Sequence, residues 1–307
     1  MNFAQVKWTV KMKAVFADTA PVIHLCGATG TSKTLVAGLL FFDRIMEAPA
    51  DVNLFGIISQ DGQTARKNFI DNADSLYNIH YGLCCDYSMS NKDGAGSHFI
   101  INGIHGKKII YLIGADNKNS WKSILGGTFG GLLIDELSAL NIDLIREAFA
   151  RVNHKGYEGW VITTTNGGNP TQEFYTEFVN RATVVKRFRD TVPKQELDEI
   201  RNEKADWHYY HFNLQDDCPH KTAKQTADLI DLYPVGSFYY YSKILGVRGY
   251  NEGAMYAGLL QDVKLVSFTD LDANYIQEIV ATVDVGSSMN AEDTTKAHTI
   301  VAIGGYS

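Results

Sequence analysis

The sequence predicts an α/β fold with a mostly parallel sheet, and three observations carry that reading. Short apolar runs alternate with stretches of helical periodicity. A glycine-rich turn, GATGTSKT, follows one apolar run and leads straight into a helical stretch. Another run, GGLLIDE, ends in two adjacent acids. Strands are expected at residues 22–26, 54–59, 108–114, 131–135 and 160–164, and helices at 33–46, 63–79 and 142–152. HFIINGIHGKKIIYLIG reads as a hairpin turning around residues 102–107. A strand at 207–214 and two short helices near 222–232 and 236–245 follow.

Composition bounds the class. Hydrophobic residues make up 45% of the 307 and charged residues 21%, enough for a full core and against disorder. No apolar run approaches the roughly 20 residues of a membrane helix. The N-terminal MNFAQVKWTVKMKAVF lacks the apolar core and cleavage site of a signal peptide, so a cytoplasm is the expected compartment. The net charge of −7 excludes a histone-like affinity for nucleic acid over the whole surface; any DNA contact must be local, in a groove or a ring lumen. Cys26, Cys84, Cys85 and Cys218 show no CxxC spacing, so metal held by thiolates is not expected, and Cys218 with His220 is only a weak hint.

Gly27, Ala28, Thr29, Gly30, Thr31, Ser32, Lys33 and Thr34 match a phosphate loop in residue type and in context, between a strand and a helix. Such a loop aims backbone N–H groups and a helix N-terminus at an anion. Lys33 is expected to reach the β- and γ-phosphates of ATP, and the Thr34 hydroxyl to hold Mg²⁺. Ser32 stands where glycine is usual, and a left-handed backbone there would cost serine roughly 1–2 kcal/mol. A chance glycine-rich turn is the bland alternative.

The strand ending in Asp135 and Glu136 weighs against that alternative. Asp135 at a strand's carboxyl end suits Mg²⁺, and Glu136 suits polarisation of the water that attacks the γ-phosphate. Taken alone the two acids could equally cap a helix. Polar residues in TTTNGGNP, at the end of the 160–164 strand, are candidates to sense the γ-phosphate, although the segment is also a plain turn by composition.

The texture changes after Leu245. GVRGYNEGAMYAGLL is rich in glycine and weakly periodic, and reads as a linker. EIVATVDVG and TIVAIGGYS resemble two further strands. The expected division is an ATPase domain at 1–245, a linker at 246–270 and the incomplete start of a second domain at 271–307.

These elements, in this order, resemble the large terminase subunits of tailed phages. GADNKNSWKSILGGTFGGLLIDELSAL is similar to the family's approach to its Asp-Glu strand, TTTNGGNP to its coupling motif, and LGVRGYNEGAMY to the junction between ATPase and nuclease domains. The resemblance implies a P-loop ATPase core of the ASCE type, followed by the first strands of a ribonuclease H-like domain. It implies an ATP- and Mg²⁺-dependent motor that moves double-stranded DNA into a procapsid, with portal protein and small terminase subunit as partners. It also implies a homo-oligomeric ring when assembled, docked transiently on the portal in the host cytoplasm.

By the same resemblance Thr164, Thr165 and Asn166 couple hydrolysis to movement, and Arg151 completes a neighbour's site, with Lys118 and Lys122 as runners-up; a surface arginine complementing the end of its helix is an equal alternative for Arg151. Asp284 would hold Mg²⁺ or Mn²⁺ for DNA cutting in a full-length form, with Asp293 a weaker neighbour. Two departures stand out. The phosphate loop has Thr29 or Gly30 where the family often carries arginine, and Gly167, Gly168 and Asn169 separate Asn166 from Pro170. A helicase-like or recombination ATPase, and a nucleotide-binding structural piece without hydrolysis, are the competing readings.

Overall fold

Six residues in a row, VIHLCG, form strand β1 (Val22–Gly27), and every one is buried. A strand covered on both faces needs apolar side chains at consecutive positions, because neighbours point to opposite sides. Ile23 and Leu25 accordingly join one core cluster while Val22 and Cys26 join another. His24 is the polar exception; burial lowers its pKa to about 3 and keeps it neutral, with Nδ1 2.7 Å from Thr163 Oγ1.

The computed structural model describes residues 6–71, 84–88, 98–115, 126–214, 217–249, 278–284 and 300–306. The remaining strands are β2 (Leu54–Ser59), β3 (Cys84–Ser88), β4 (His98–Gly103), β5 (Gly106–Gly114), β6 (Gly131–Ile134), β7 (Trp160–Thr165), β8 (Ala182–Val184), β9 (Lys204–Phe212), β10 (Glu278–Asp284) and β11 (Ile300–Tyr306). The first nine make one sheet in the order β3-β4-β5-β2-β6-β7-β1-β9-β8. From β5 to β8 every pairing is parallel, and the antiparallel β3–β4 pair extends one edge. The predicted mostly parallel α/β sheet is the one observed.

Helix α1 (Val10–Phe16) begins at Thr9, whose Oγ1 caps the Met12 N–H. It packs with α2 (Lys33–Glu47) on the face that holds Ile23, Leu25, Ile57, Leu133 and Ile162. α2 is apolar nearly all round, with Val36, Leu39, Leu40, Phe41, Phe42 and Ile45 buried, and Pro49 follows its end. The opposite face holds Val161, Leu132 and Ile134 against α4 (Ile142–Arg151), whose buried stripe is Leu144, Ile145 and Ala148. Asn141 Oδ1 caps α4 by accepting the Asp143 N–H at 2.8 Å. The same cluster takes in Phe174 and Tyr175 of α5 (Glu173–Glu177).

Several expectations need correction. The helix expected at 63–79 is a short α3 (Gly62–Arg66) that passes into a π turn at Lys67–Asp71; residues 72–79 lie outside the described residues. The strand expected from 207 starts at Lys204. A linker from residue 246 does not survive either, since Val247 and Arg248 are each 2% exposed. Arg248 pairs with Glu196 at 3.1 Å and lies over the Tyr175 ring at 4.1 Å, a set of contacts with no local sequence signal. α6 (Lys194–Glu199), which carries Glu196, lies outside the expected elements, as do α1, α5, β3 and β8.

The chain divides into two compact units, 1–255 and 256–307. In the second, β10 and β11 pair antiparallel, with Asp284 opposite Ile300. Among the described residues no helix is long and apolar enough to cross a membrane.

Candidate functional site

Parallel strands place their carboxyl ends along one edge, and there β1, β7 and β6 lie side by side. The turn after β1 is the glycine-rich loop, the residues after β6 are Asp135 and Glu136, and β7 runs out through Thr164 and Thr165 into Asn166. One cleft of about 580 Å³ opens over these ends, lined by loop residues 29–34, Asn68, Glu136, Thr164, Asn166 and Lys221 among others.

Within the loop, Lys33 is folded inward and only 6% exposed. Its Nζ donates to Gly27 O at 3.0 Å, Ala28 O at 2.5 Å, Thr31 Oγ1 at 3.3 Å and Asn166 Oδ1 at 3.2 Å. Burial lowers its pKa from 10.5 to about 8, and the Glu136 carboxylate works in the opposite direction. Ser32 takes φ 60, ψ 17, a left-handed conformation, immediately before α2 starts at Lys33. The strained backbone anticipated at that position is therefore present.

Asp135 is 5% exposed and held from three sides. Oδ1 accepts from Thr164 Oγ1 at 2.7 Å and Thr34 Oγ1 at 3.2 Å, and Oδ2 accepts from Asn68 Nδ2 at 3.1 Å. Burial raises its pKa against those hydrogen bonds. Asn68 comes from the π turn, a helical irregularity that often marks a functional site and that residue spacing did not reveal.

Glu136 also has a left-handed backbone, φ 59, ψ 69. Its N–H donates to Thr164 Oγ1 at 3.0 Å. Its Oε1 accepts from Ser138 Oγ at 2.5 Å, Asn166 N at 2.9 Å and Thr165 Oγ1 at 3.2 Å, and Oε2 accepts from Asn166 Nδ2. Asn166 thus bridges the site, taking Lys33 and Thr29 Oγ1 on its carbonyl and giving its amide to Glu136.

A divalent cation fits this donor set. Thr34 Oγ1 and Asp135 Oδ1 are hard oxygens, and among the described residues no group of three or more His, Cys, Asp or Glu offers an all-protein cage. Mg²⁺ suits one carboxylate completed by water and phosphates.

Other predicted residues lie elsewhere. Arg151 does not line the cleft; it ends α4 and pairs with Glu147 at 2.6 Å. Asp284 ends β10 in the second unit. Lys118, Lys122 and Asp293 fall outside the described residues. Cys218 sits near the loop, its Sγ 2.8 Å from the Gly30 carbonyl.

No family model and no curated relative matches the sequence. Solved structures do. The large terminase of a thermophilic bacteriophage superposes with TM-score 0.62 at 18% identity over 92% of this chain and 63% of that one. The same terminase in complex with ADP gives 0.62 at 19% identity, over 91% and 62% respectively. The large terminase ATPase domain of Thermus phage P74-26 gives 0.56 at 14%, covering 78% of this chain and 92% of that domain. The chain therefore spans less than two thirds of the first terminase's length, and its fold is that of a large terminase ATPase core.

Proposed function

We propose that this chain is the ATP-hydrolysing motor of viral genome packaging, translocating double-stranded DNA into a procapsid. The observation that carries the reading is the meeting of Lys33, Thr34, Glu136 and Asn166 in one cleft at the ends of adjacent strands, with the buried Asp135 bonded to Thr34. The likeness in fold to a terminase solved with ADP supports nucleotide as the ligand.

Phosphates are stronger acceptors than peptide carbonyls, so Lys33 leaves Gly27 and Ala28 for the β- and γ-phosphates. Thr34 and Asp135 would hold Mg²⁺, which would supply neutralisation of phosphate charge. Glu136 orients and polarises the attacking water. Its carboxylate is occupied by Ser138, Thr165 and Asn166, so hydrolysis needs part of that hold released. Asn166 does this: once Lys33 turns to phosphate, the amide carbonyl loses its cation and the side chain can let Glu136 go. Loss of γ-phosphate reverses the exchange, which makes Thr164, Thr165 and Asn166 the coupling element.

Arg151, at the end of α4 and outside its own cleft, is the arginine we assign to the site of the next subunit in a ring. The portal protein and small terminase subunit are the assembly partners, in the host cytoplasm. In the second unit, Asp284 would be one ligand for Mg²⁺ or Mn²⁺ in a ribonuclease H-like nuclease fold. Glu136→Gln should retain MgATP affinity within a few-fold and lower turnover by roughly 10²–10⁴, with packaging into procapsids lost in parallel. Asp135→Asn should weaken Mg²⁺ as well. Wild-type turnover in the Glu136→Gln protein would remove the assignment.

A further inference from the structure

The glycine-rich loop contains no arginine, and among the described residues lining the cleft the ammonium groups are those of Lys33 and Lys221. The two are held differently. Lys33 is sunk in the loop and shared among four oxygens. Lys221 comes from the segment between β9 and helix α7 (Ala223–Asp231), and its Nζ donates to the Gly30 carbonyl at 2.9 Å. The approach is close: a Cβ on Gly30 would stand 2.2 Å from that nitrogen, and Gly30 takes φ +74. Glycine leaves open the space that the ammonium fills at the tip of the loop.

The backbone on either side of Lys221 is fixed. Its N–H bonds to Cys218 O at 3.2 Å, and the Cys218 thiol lies against the same Gly30 carbonyl. Directly after it, Thr222 and Gln225 form a reciprocal capping box that starts α7. The backbone is anchored while the charged end of the side chain meets a carbonyl, a weaker partner than a phosphate oxygen.

We propose that Lys221 is a second phosphate-binding residue, which swings its ammonium from the Gly30 carbonyl onto the phosphate oxygens of a nucleotide held by the loop. The inference rests on the nucleotide reading of the cleft. It assigns to the segment after β9 a positive charge, supplied within the subunit, that the loop itself lacks. Lysine suits this, being a compact point charge on a flexible stem.

The test is calorimetric titration of the 307-residue chain with MgATP, with thermal unfolding recorded on each variant to establish folding. Lys221→Met and Lys221→Gln are expected to bind at least tenfold more weakly than wild type, and Lys221→Arg within about threefold. The glutamine variant separates charge from polarity, because it keeps a hydrogen-bond donor on the side chain but carries no charge. Binding restored by glutamine, or retained by methionine within twofold while Lys33→Ala loses it, overturns this inference alone. A wild-type chain that binds no ATP overturns both this inference and the reading beneath it.

Discussion

Ser32 and Glu136 are two non-glycine residues at positive φ, and both belong to the cleft. A left-handed backbone costs an L-residue roughly 1–2 kcal/mol, and strain kept at a site is held there by its surroundings. Ser32→Gly should therefore stabilise the chain by about 1 kcal/mol in urea unfolding, the relief being partly offset by glycine's freedom in the unfolded chain. No gain would mean that the surroundings absorb the strain. Lys33 sets a second expectation. Burial lowers its pKa to about 8 from 10.5. Between those values the unfolded chain carries a proton that the folded chain has released, so this lysine makes stability rise with pH across that window. A bound polyphosphate favours the ammonium and reverses the loss. ATP binding at pH 9 should then take up most of one proton, roughly, and nearly none at pH 7. Equal binding heats at pH 9 in buffers of different ionisation enthalpy would exclude this.

At the scale of elements, the segment from Lys243 to Gly249 joins the loop to the turn after β7. Thr29 N–H donates to Lys243 O at 2.9 Å, and Gly249 N–H donates to Gly168 O at 3.1 Å. Gly246, at φ +67, lies against Gly27 and Ala28 so closely that a Cβ would come within 2.0 Å of the Ala28 nitrogen. The Arg248–Glu196 pair anchors this segment, with both side chains nearly inaccessible. Removing one member of a buried pair strands the other. Arg248→Met should cost about 3–5 kcal/mol in urea unfolding, and should weaken nucleotide binding because the segment braces the phosphate loop. A loss below about 1 kcal/mol would show that Glu196 finds water or another partner. Glycine density in GVRGYNEG reads as a linker by composition, yet Gly246 serves close packing, a use that composition does not distinguish.

Across the whole molecule, the placement of Arg151 becomes a question of assembly. It ends α4, pairs with Glu147 and leaves its own cleft to other residues. A residue that acts on a neighbour should be rescued by mixing. Arg151→Ala and Glu136→Gln chains, each inactive as full-length proteins with procapsids and DNA, should regain part of the wild-type ATPase rate when combined, because some interfaces then pair an intact arginine with an intact glutamate. The single Arg151→Ala protein should lose roughly 10³–10⁵ in rate. An unchanged rate would return Arg151 to the role of a charge complementing the α4 dipole.

The strands that bear the site are legible in the amino-acid pattern, because a central parallel strand needs an unbroken apolar run, and the same pattern puts the loop after β1 and the acids after β6. Asp135, Glu136 and the glycine-rich loop were legible because each follows directly on a buried apolar strand. Tertiary structure alone decided that β7 lies between β1 and β6, which brings Asn166 to both Lys33 and Glu136. It alone brought Asn68 to Asp135, Lys221 to Gly30 and Arg248 to Glu196. Each of those pairs joins residues far apart in the chain, and their contact depends on strand order and on how segments pack, neither of which a local pattern encodes.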